Sequence, residues 1–176
     1  KLFVSWKIGG AESPLPKDPY WAGSLGLRYR FSDRFQVIAS IDIVQDRGNW
    51  GWAYLTNADG SPVIARRNIK TNTSILSAQY NFTSRMNVNI RMRHYWSLLK
   101  NTNFYNLNTV GYWRDTTFFA DQNLNFNTFN VDMFFIWDFL PGSRVTIAWK
   151  NALGSNVNID PYTNMTYFKN FGKVLD

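Results

Sequence analysis

Apolar and polar side chains alternate with period two along nearly the whole chain, and helical periodicity is almost absent. In "RYRFSDRFQVIASID", residues 28–42, the alternation runs through a short turn. Leu25, Leu27, Tyr29 and Phe31 share one face before Ser32-Asp33-Arg34, and Phe35, Val37, Ala39 and Ile41 continue it afterwards. Two further stretches, "YNFTSRMNV" and "WDFLPGSRVTI", repeat the arrangement of an aromatic, one residue, Phe, a turn with Arg and a new alternating strand. About seven strands are predicted, near residues 1–8, 20–31, 35–46, 67–82, 86–97, 125–139 and 144–152.

A turn fixes the register of its hairpin, so the pairings can be counted outward. Phe31 opposite Phe35 gives Tyr29–Val37, Leu27–Ala39 and Leu25–Ile41 on one face, and Arg30–Gln36, Arg28–Ile38 and Ser24–Asp42 on the other. Phe82 opposite Met86 gives Tyr80–Val88, Ala78–Ile90 and Leu76–Met92, backed by Asn81–Asn87, Gln79–Asn89, Ser77–Arg91 and Ile75–Arg93. Phe139 opposite Val145 gives Trp137–Ile147 and Phe135–Trp149, backed by Asp138–Thr146, Ile136–Ala148 and Phe134–Lys150. Each hairpin thus separates an apolar face from a mostly polar one.

Polar connections are predicted between the hairpins, over residues 9–19, 47–66 (with an Asp59-Gly60 turn signal) and 98–124. Short turns alternating with long loops are the habit of up-and-down transmembrane β-barrels. A soluble sandwich or lipocalin-like barrel also alternates. Two features favour lipid. About four to five apolar residues per strand suit a tilted span of roughly 9–11 residues. The rings Tyr29, Phe31, Phe35, Tyr80, Phe82, Trp137 and Phe139 gather at the short-turn ends, where an interfacial girdle belongs. The polar face carries Arg28, Arg30, Asp42, Arg91, Arg93, Asp132, Asp138 and Lys150, which would line a lumen in a barrel and be a solvated surface in a sandwich.

The composition sharpens this picture. Nineteen Lys+Arg against 12 Asp+Glu give a formal charge of +7, and aromatics make up 18% of the chain, with 8 Trp. With no Cys and 1 His, disulfide frameworks and thiolate metal sites are excluded, and little is left for a zinc site or a His-dependent triad. No apolar run is long enough for a transmembrane helix, which leaves barrels untouched. No signal peptide precedes the alternating "KLFVSWKI", as expected of a processed or truncated piece.

Catalytic patterns are sparse. Asp132 and Asp138 lie six residues apart on one strand, roughly 20 Å at its usual rise. A glycosidase pair needs roughly 5–9.5 Å. His94, on the apolar phase, is expected at an interfacial rim rather than in a catalytic or metal site. No Gly-rich phosphate loop, HExxH, GxSxG or calcium loop occurs, and the matches "NTS", "NFT" and "NMT" to a glycosylation sequon are too short to weigh. A nucleic-acid surface would set rings beside arginines, whereas here the two occupy opposite faces. Trp50, Trp52, Tyr54, Tyr112 and Trp113, in the long connections, are candidate ligand contacts that could stack on sugars or simply pack at a barrel mouth.

"NTFNVDMFFIWDFLPGSRVTIAWKNAL" (residues 127–153), "RMRHYWSLL" and "YFKNFGKVLD" resemble the C-terminal region of a family of large Bacteroidota outer-membrane proteins. These join an N-terminal carbohydrate-binding-like β-sandwich, of the family-nine module type, to a C-terminal β-barrel of unassigned function. The likeness is best over residues 86–100 and 127–176 and looser elsewhere. It implies that residues 1–176 form part of the barrel segment, with the N-terminal domain, further strands and an aromatic-rich closing strand absent. It also implies outer-membrane lipid and the barrel-assembly machinery as partners, and supplies no catalytic residue.

The expectation is an all-β, antiparallel, up-and-down transmembrane β-barrel segment in a bacterial outer membrane. Its role would be that of a porin-like pore, a membrane anchor, or a subunit of an outer-membrane protein complex, with no enzymatic activity, cofactor, metal or nucleic acid. The alternative is a soluble carbohydrate-binding β-domain that uses the loop aromatics. An enzyme with its site in the long loops ranks last.

Overall fold

The computed structural model describes residues 1–12, 18–57, 60–107, 111–116, 123–158 and 171–172. They form one antiparallel sheet of eight strands. These are β1 (Leu2–Glu12), β2 (Pro19–Arg30), β3 (Phe35–Thr56), β4 (Pro62–Thr83), β5 (Met86–Leu107), β6 (Trp113–Thr116), β7 (Leu124–Leu140) and β8 (Ser143–Asn158). Neighbours follow chain order, β1-β2-β3-β4-β5-β7-β8, and β6 pairs with the far end of β5. The sheet is up-and-down and open, with β1 and β8 at its two edges. None of the described helical residues forms a segment long and apolar enough to cross a membrane.

The first two hairpins take the register that their turns dictate. Tyr29 faces Val37 and Leu25 faces Ile41. Tyr80 faces Val88 and Leu76 faces Met92. The Ser32 hydroxyl closes the first turn by accepting from the amides of Arg34 (3.2 Å) and Phe35 (3.1 Å). In the second, the turn tightens to Ser84-Arg85, so Thr83 rather than Phe82 opposes Met86 and Phe82 falls in an irregularity.

The third hairpin differs from the expected register by two residues. Trp137 faces Val145, Phe135 faces Ile147 and Met133 faces Trp149. On the reverse side Asp138 faces Arg144, Ile136 faces Thr146, Phe134 faces Ala148 and Asp132 faces Lys150. The cause is local. Pro141-Gly142 makes a two-residue turn with Gly142 at φ 78°, Leu140 faces Ser143, and Phe139 is left in a bulge. A shift of two keeps every side chain on its predicted face.

The long polar connections are also largely strand. β3, β4 and β5 each run 22 residues, about 70 Å when extended. Residues 47–56 and 62–66 pair with each other, and the chain turns between Asn57 and Ser61, where the Asn57 amide donates to the Ser61 carbonyl at 2.8 Å. Asp59 lies outside the described residues, as do 13–17, 108–110 and 117–122. Bulges had concealed these extensions. Residues 47 and 48 both sit opposite Asn68, so outward positions switch from odd (Gln45) to even (Trp50), and a second irregularity near Thr102 does the same in β5.

Side-chain rows pass unbroken across the sheet because β5 pairs with β7 in matching phase. One row reads Leu2, Tyr29, Val37, Ala78, Ile90, Met133 and Trp149. The row on its loop side holds Val4, Leu27, Ala39, Leu76, Met92 and Val131. This apolar face stays open to its surroundings: Trp137 is 42% exposed, Ile147 58% and Trp149 49%. The buried apolar cluster lies elsewhere, at the loop end, where Ala53, Val63 and Ala65 pack with Leu55 and Phe104.

Candidate functional site

The polar face is assembled by the same rows, displaced by one residue. Arg91, Asp132 and Lys150 stand side by side on β5, β7 and β8. Direct neighbours on one face of an antiparallel pair have Cβ atoms about 5 Å apart, so Asp132 stands between two basic residues in its row. Arg93 is opposite Asn130, and Arg28 lies between Phe3 and Ile38 in the Arg91 row. Asp42 faces Ser24 and Thr73, away from the arginines. Arg30 turns to the loop, where it meets Asp33 at 3.1 Å. The predicted polar set is therefore on one face, but it forms one charge cluster and several separate positions.

Amides that the hairpin registers placed on this face, without being counted among the candidate lumen residues, complete it. Gln36 Nε2 donates to Gln79 Oε1 at 2.8 Å, Gln79 Nε2 to Asn81 Oδ1 at 3.2 Å, and Asn89 Nδ2 to Asn87 Oδ1 at 2.8 Å. Gln36, Gln79 and Asn89 line a pocket of about 250 Å³ together with Arg91, Asp132 and Phe134. Lys150 Nζ sits 5.6 Å from the Phe134 ring centre, a cation–π contact. The predictive signal was alternation itself, since Gln36, Gln79 and Asn89 share the phase of the charged residues. What could not be counted was the pairing of β5 with β7 across the intervening β6.

Asp138 and Arg144 close the turn-side end of the polar face. Arg144 Nε and Nη2 donate to the two carboxylate oxygens at 2.6 and 3.1 Å, a bidentate pair. Nearby turns are tied to adjacent strands: the Asn81 amide donates to the Arg34 carbonyl and the Asp138 amide to the Arg85 carbonyl, both at 2.8 Å.

On the apolar face the predicted rings form a connected series. Tyr29, Phe31, Phe35, Tyr80, Phe82 and Phe135 touch in sequence, with centroids 4.5 to 6.5 Å apart. Trp137 and Phe139 form a second contact at 5.8 Å. His94, expected at an exposed rim, is buried instead. Its Nε2 lies 2.7 Å from Asn127 Oδ1, and its ring meets Phe171 edge-on at 5.0 Å. Phe171 reaches back across the sheet to His94 and Phe129, which sequence spacing could not foretell.

At the loop end Trp50 joins Tyr105 (4.9 Å) and Trp113 (6.0 Å). Tyr105 was missed, because its alternation is reset by the bulge in β5. Trp52 and Tyr54 form a separate pair at 5.1 Å, with Tyr54 at a left-handed φ of 59°. Tyr112 is exposed beside Trp113 in the chain. Among the described residues no three His, Asp or Glu side chains converge as a metal site.

No curated protein and no solved structure matches the chain. The family model described as a domain of unknown function, DUF5916, matches residues 1–176. By that whole-length match, the chain belongs to the DUF5916 family.

Proposed function

We propose that the chain is part of the wall of a transmembrane β-barrel in a bacterial outer membrane of the Bacteroidota type, with the apolar face toward lipid and the polar face toward a lumen. The observation that carries this reading is the exposed apolar face, continuous across strands and bordered by rings. Four open rows, those of Trp137, Phe135, Met133 and Val131, precede the row of His94 and Phe129, on which Phe171 packs. Three steps of two residues cover about 20 Å along the strands, or about 15 Å along the normal at a barrel-like tilt. That is roughly three-fifths of the apolar band of about 25 Å that such barrels present. A soluble sheet would have to cover the same face with a second layer.

On this reading the barrel works as a pore, as an anchor for an attached domain, or as a subunit of an outer-membrane complex. It is non-enzymatic, and its partners are outer-membrane lipid and, during biogenesis, the barrel-assembly machinery. Membrane partitioning of the full-length protein tests it, read out by heat-modifiable migration on a gel. Extraction only by detergent, with a shift on boiling, is expected. Recovery in buffer with no shift would remove the barrel reading.

One observation favours a second activity at the loop end. Trp50, Tyr105 and Trp113 meet, and both tryptophans are partly exposed, as a sugar-stacking platform requires. On a soluble domain this platform would make the chain a carbohydrate-binding module. Quenching of tryptophan fluorescence by oligosaccharides, abolished by Trp50→Ala, is the expected signature.

A further inference from the structure

The pocket of about 250 Å³ on the polar face brings unlike charges together without pairing them. Arg91 and Asp132 are register partners on β5 and β7, and both line it. Among the described residues neither takes part in an ion pair. Lys150, on the other side of Asp132, lies over the Phe134 ring, with Nζ 5.6 Å from its centre. The Arg91 guanidinium and the Asp132 carboxylate therefore keep their hydrogen-bonding capacity for a solute. Arg91 is exposed and Asp132 half-buried, so water reaches both.

Neutral amides border these charges. Gln36, Gln79 and Asn89 form the adjoining row across β3, β4 and β5. Each donates one N–H to a neighbouring amide, which fixes its orientation. Each retains a second N–H, and Gln36 Oε1 and Asn89 Oδ1 accept no hydrogen bond among the described residues. A side-chain amide offers the same kinds of donor and acceptor as a peptide group. The row can therefore pair with a peptide group in either orientation.

The charge pattern selects among solutes. An anion held by Arg91 would face the Asp132 carboxylate, and a cation held by Asp132 would stand between Arg91 and Lys150. Like charges so placed oppose binding. A neutral solute leaves both charges without a counterpart. A molecule with one carboxylate and one ammonium group satisfies both, through charge-assisted hydrogen bonds. Size narrows the class further. The pocket of about 250 Å³ falls just below the roughly 300–1,000 Å³ of drug-sized sites, and two residues of extended chain span about 7 Å at most.

We infer that this pocket binds a short peptide with free termini, of dipeptide size. Its carboxylate lies on Arg91, its ammonium on Asp132 and its peptide group on the amide row. Ile38 and Phe134 supply apolar walls for its side chains. The inference rests on the barrel reading only for the route. In a barrel the peptide arrives through the lumen, and on a solvated sheet it arrives directly.

The test uses the full-length protein in detergent micelles, with binding followed by isothermal titration calorimetry. The probes are L-alanyl-L-alanine, its N-acetyl derivative, its C-terminal amide and the neutral disaccharide maltose. The free dipeptide is expected to bind. Blocking either terminus should weaken binding on the order of tenfold, the loss of one hydrogen bond to a charged group. Arg91→Gln should remove the preference over the amide, and Asp132→Asn the preference over the acetyl derivative. Asp42→Asn, two rows nearer the loops, should leave binding unchanged. Equal binding of free and blocked dipeptides, or preferences unchanged in the two variants, would overturn the site. Tighter binding of maltose than of the dipeptide would overturn the solute class and identify a carbohydrate pocket. Heat-modifiable migration, recorded on the same samples, separates the two failures. A shifting protein that ignores the dipeptide leaves the barrel standing without the site. An unshifting, buffer-soluble protein that binds it keeps the site and removes the barrel.

Discussion

Ile90 occupies the middle of the apolar face, flanked by Ala78 on β4 and Met133 on β7. Replacing it with Arg puts a charge where the barrel reading places the centre of the lipid band. The cost there is about 2–4 kcal/mol, falling to about 0–1 kcal/mol near either interface. Val145, opposite Trp137 in the ring row nearest the turns, supplies the interfacial comparison, and Val145→Arg should cost no more than about 1 kcal/mol. Ile136→Arg is the control on the opposite face, where Thr146 and Asn87 are its register neighbours and a water-lined lumen would accept the charge. Reversible unfolding of the full-length protein by denaturant in liposomes, followed by tryptophan fluorescence, measures all three. The depth dependence is the signature. A solvated face would return both outward substitutions within about 0.5 kcal/mol of wild type. Equal costs at Ile90 and Val145 would refute the lipid assignment of this face.

Two further outcomes are expected. If the polar face lines a conducting lumen, Arg91→Glu with Arg93→Glu should reverse an anion preference, measured as a reversal potential across a planar bilayer. Unchanged selectivity would count against conduction past these residues. Gly142→Ala should destabilise by about 1–2 kcal/mol, the cost of a left-handed φ for a residue with a Cβ. Stability equal to wild type would show that the turn adapts.

What could be counted outward from a turn was legible in the sequence, and what required joining distant strands was not. The Ser32 turn fixed Tyr29 opposite Val37 and every pair beyond, because a single hydroxyl closes it. In "LPGSR" the same counting began one pair too early, since Pro141-Gly142 turns more tightly than a symmetric loop and discards Phe139 into a bulge. The ring series was legible because its members flank local turns. The Arg91–Asp132–Lys150 cluster was not, because its first contact joins β5 to β7 across a connection that includes β6. Trp50 and Tyr105 were separated in the reading by two bulges, each of which resets the alternation. His94 had a correct phase and a wrong environment, because nothing in its own strand announces Phe171.

The unbroken rows also set a rule of parity for how this chain can change length. One residue inserted between Leu76 and Ala78 would turn every side chain on one side of it to the opposite face, exchanging apolar groups for Gln79, Asn81 and their neighbours. Two residues would preserve the faces but shift a whole strand against partners on both sides. The bulge at Arg47 and Gly48 is different, since a doubled residue there is already absorbed opposite Asn68. Length variation should therefore collect at such bulges and in the loop-end extensions, while the turn-side half keeps its length strand by strand. The interlaced turns, with Asn81 bound to Arg34 and Asp138 to Arg85, act as the ruler from which each strand is measured.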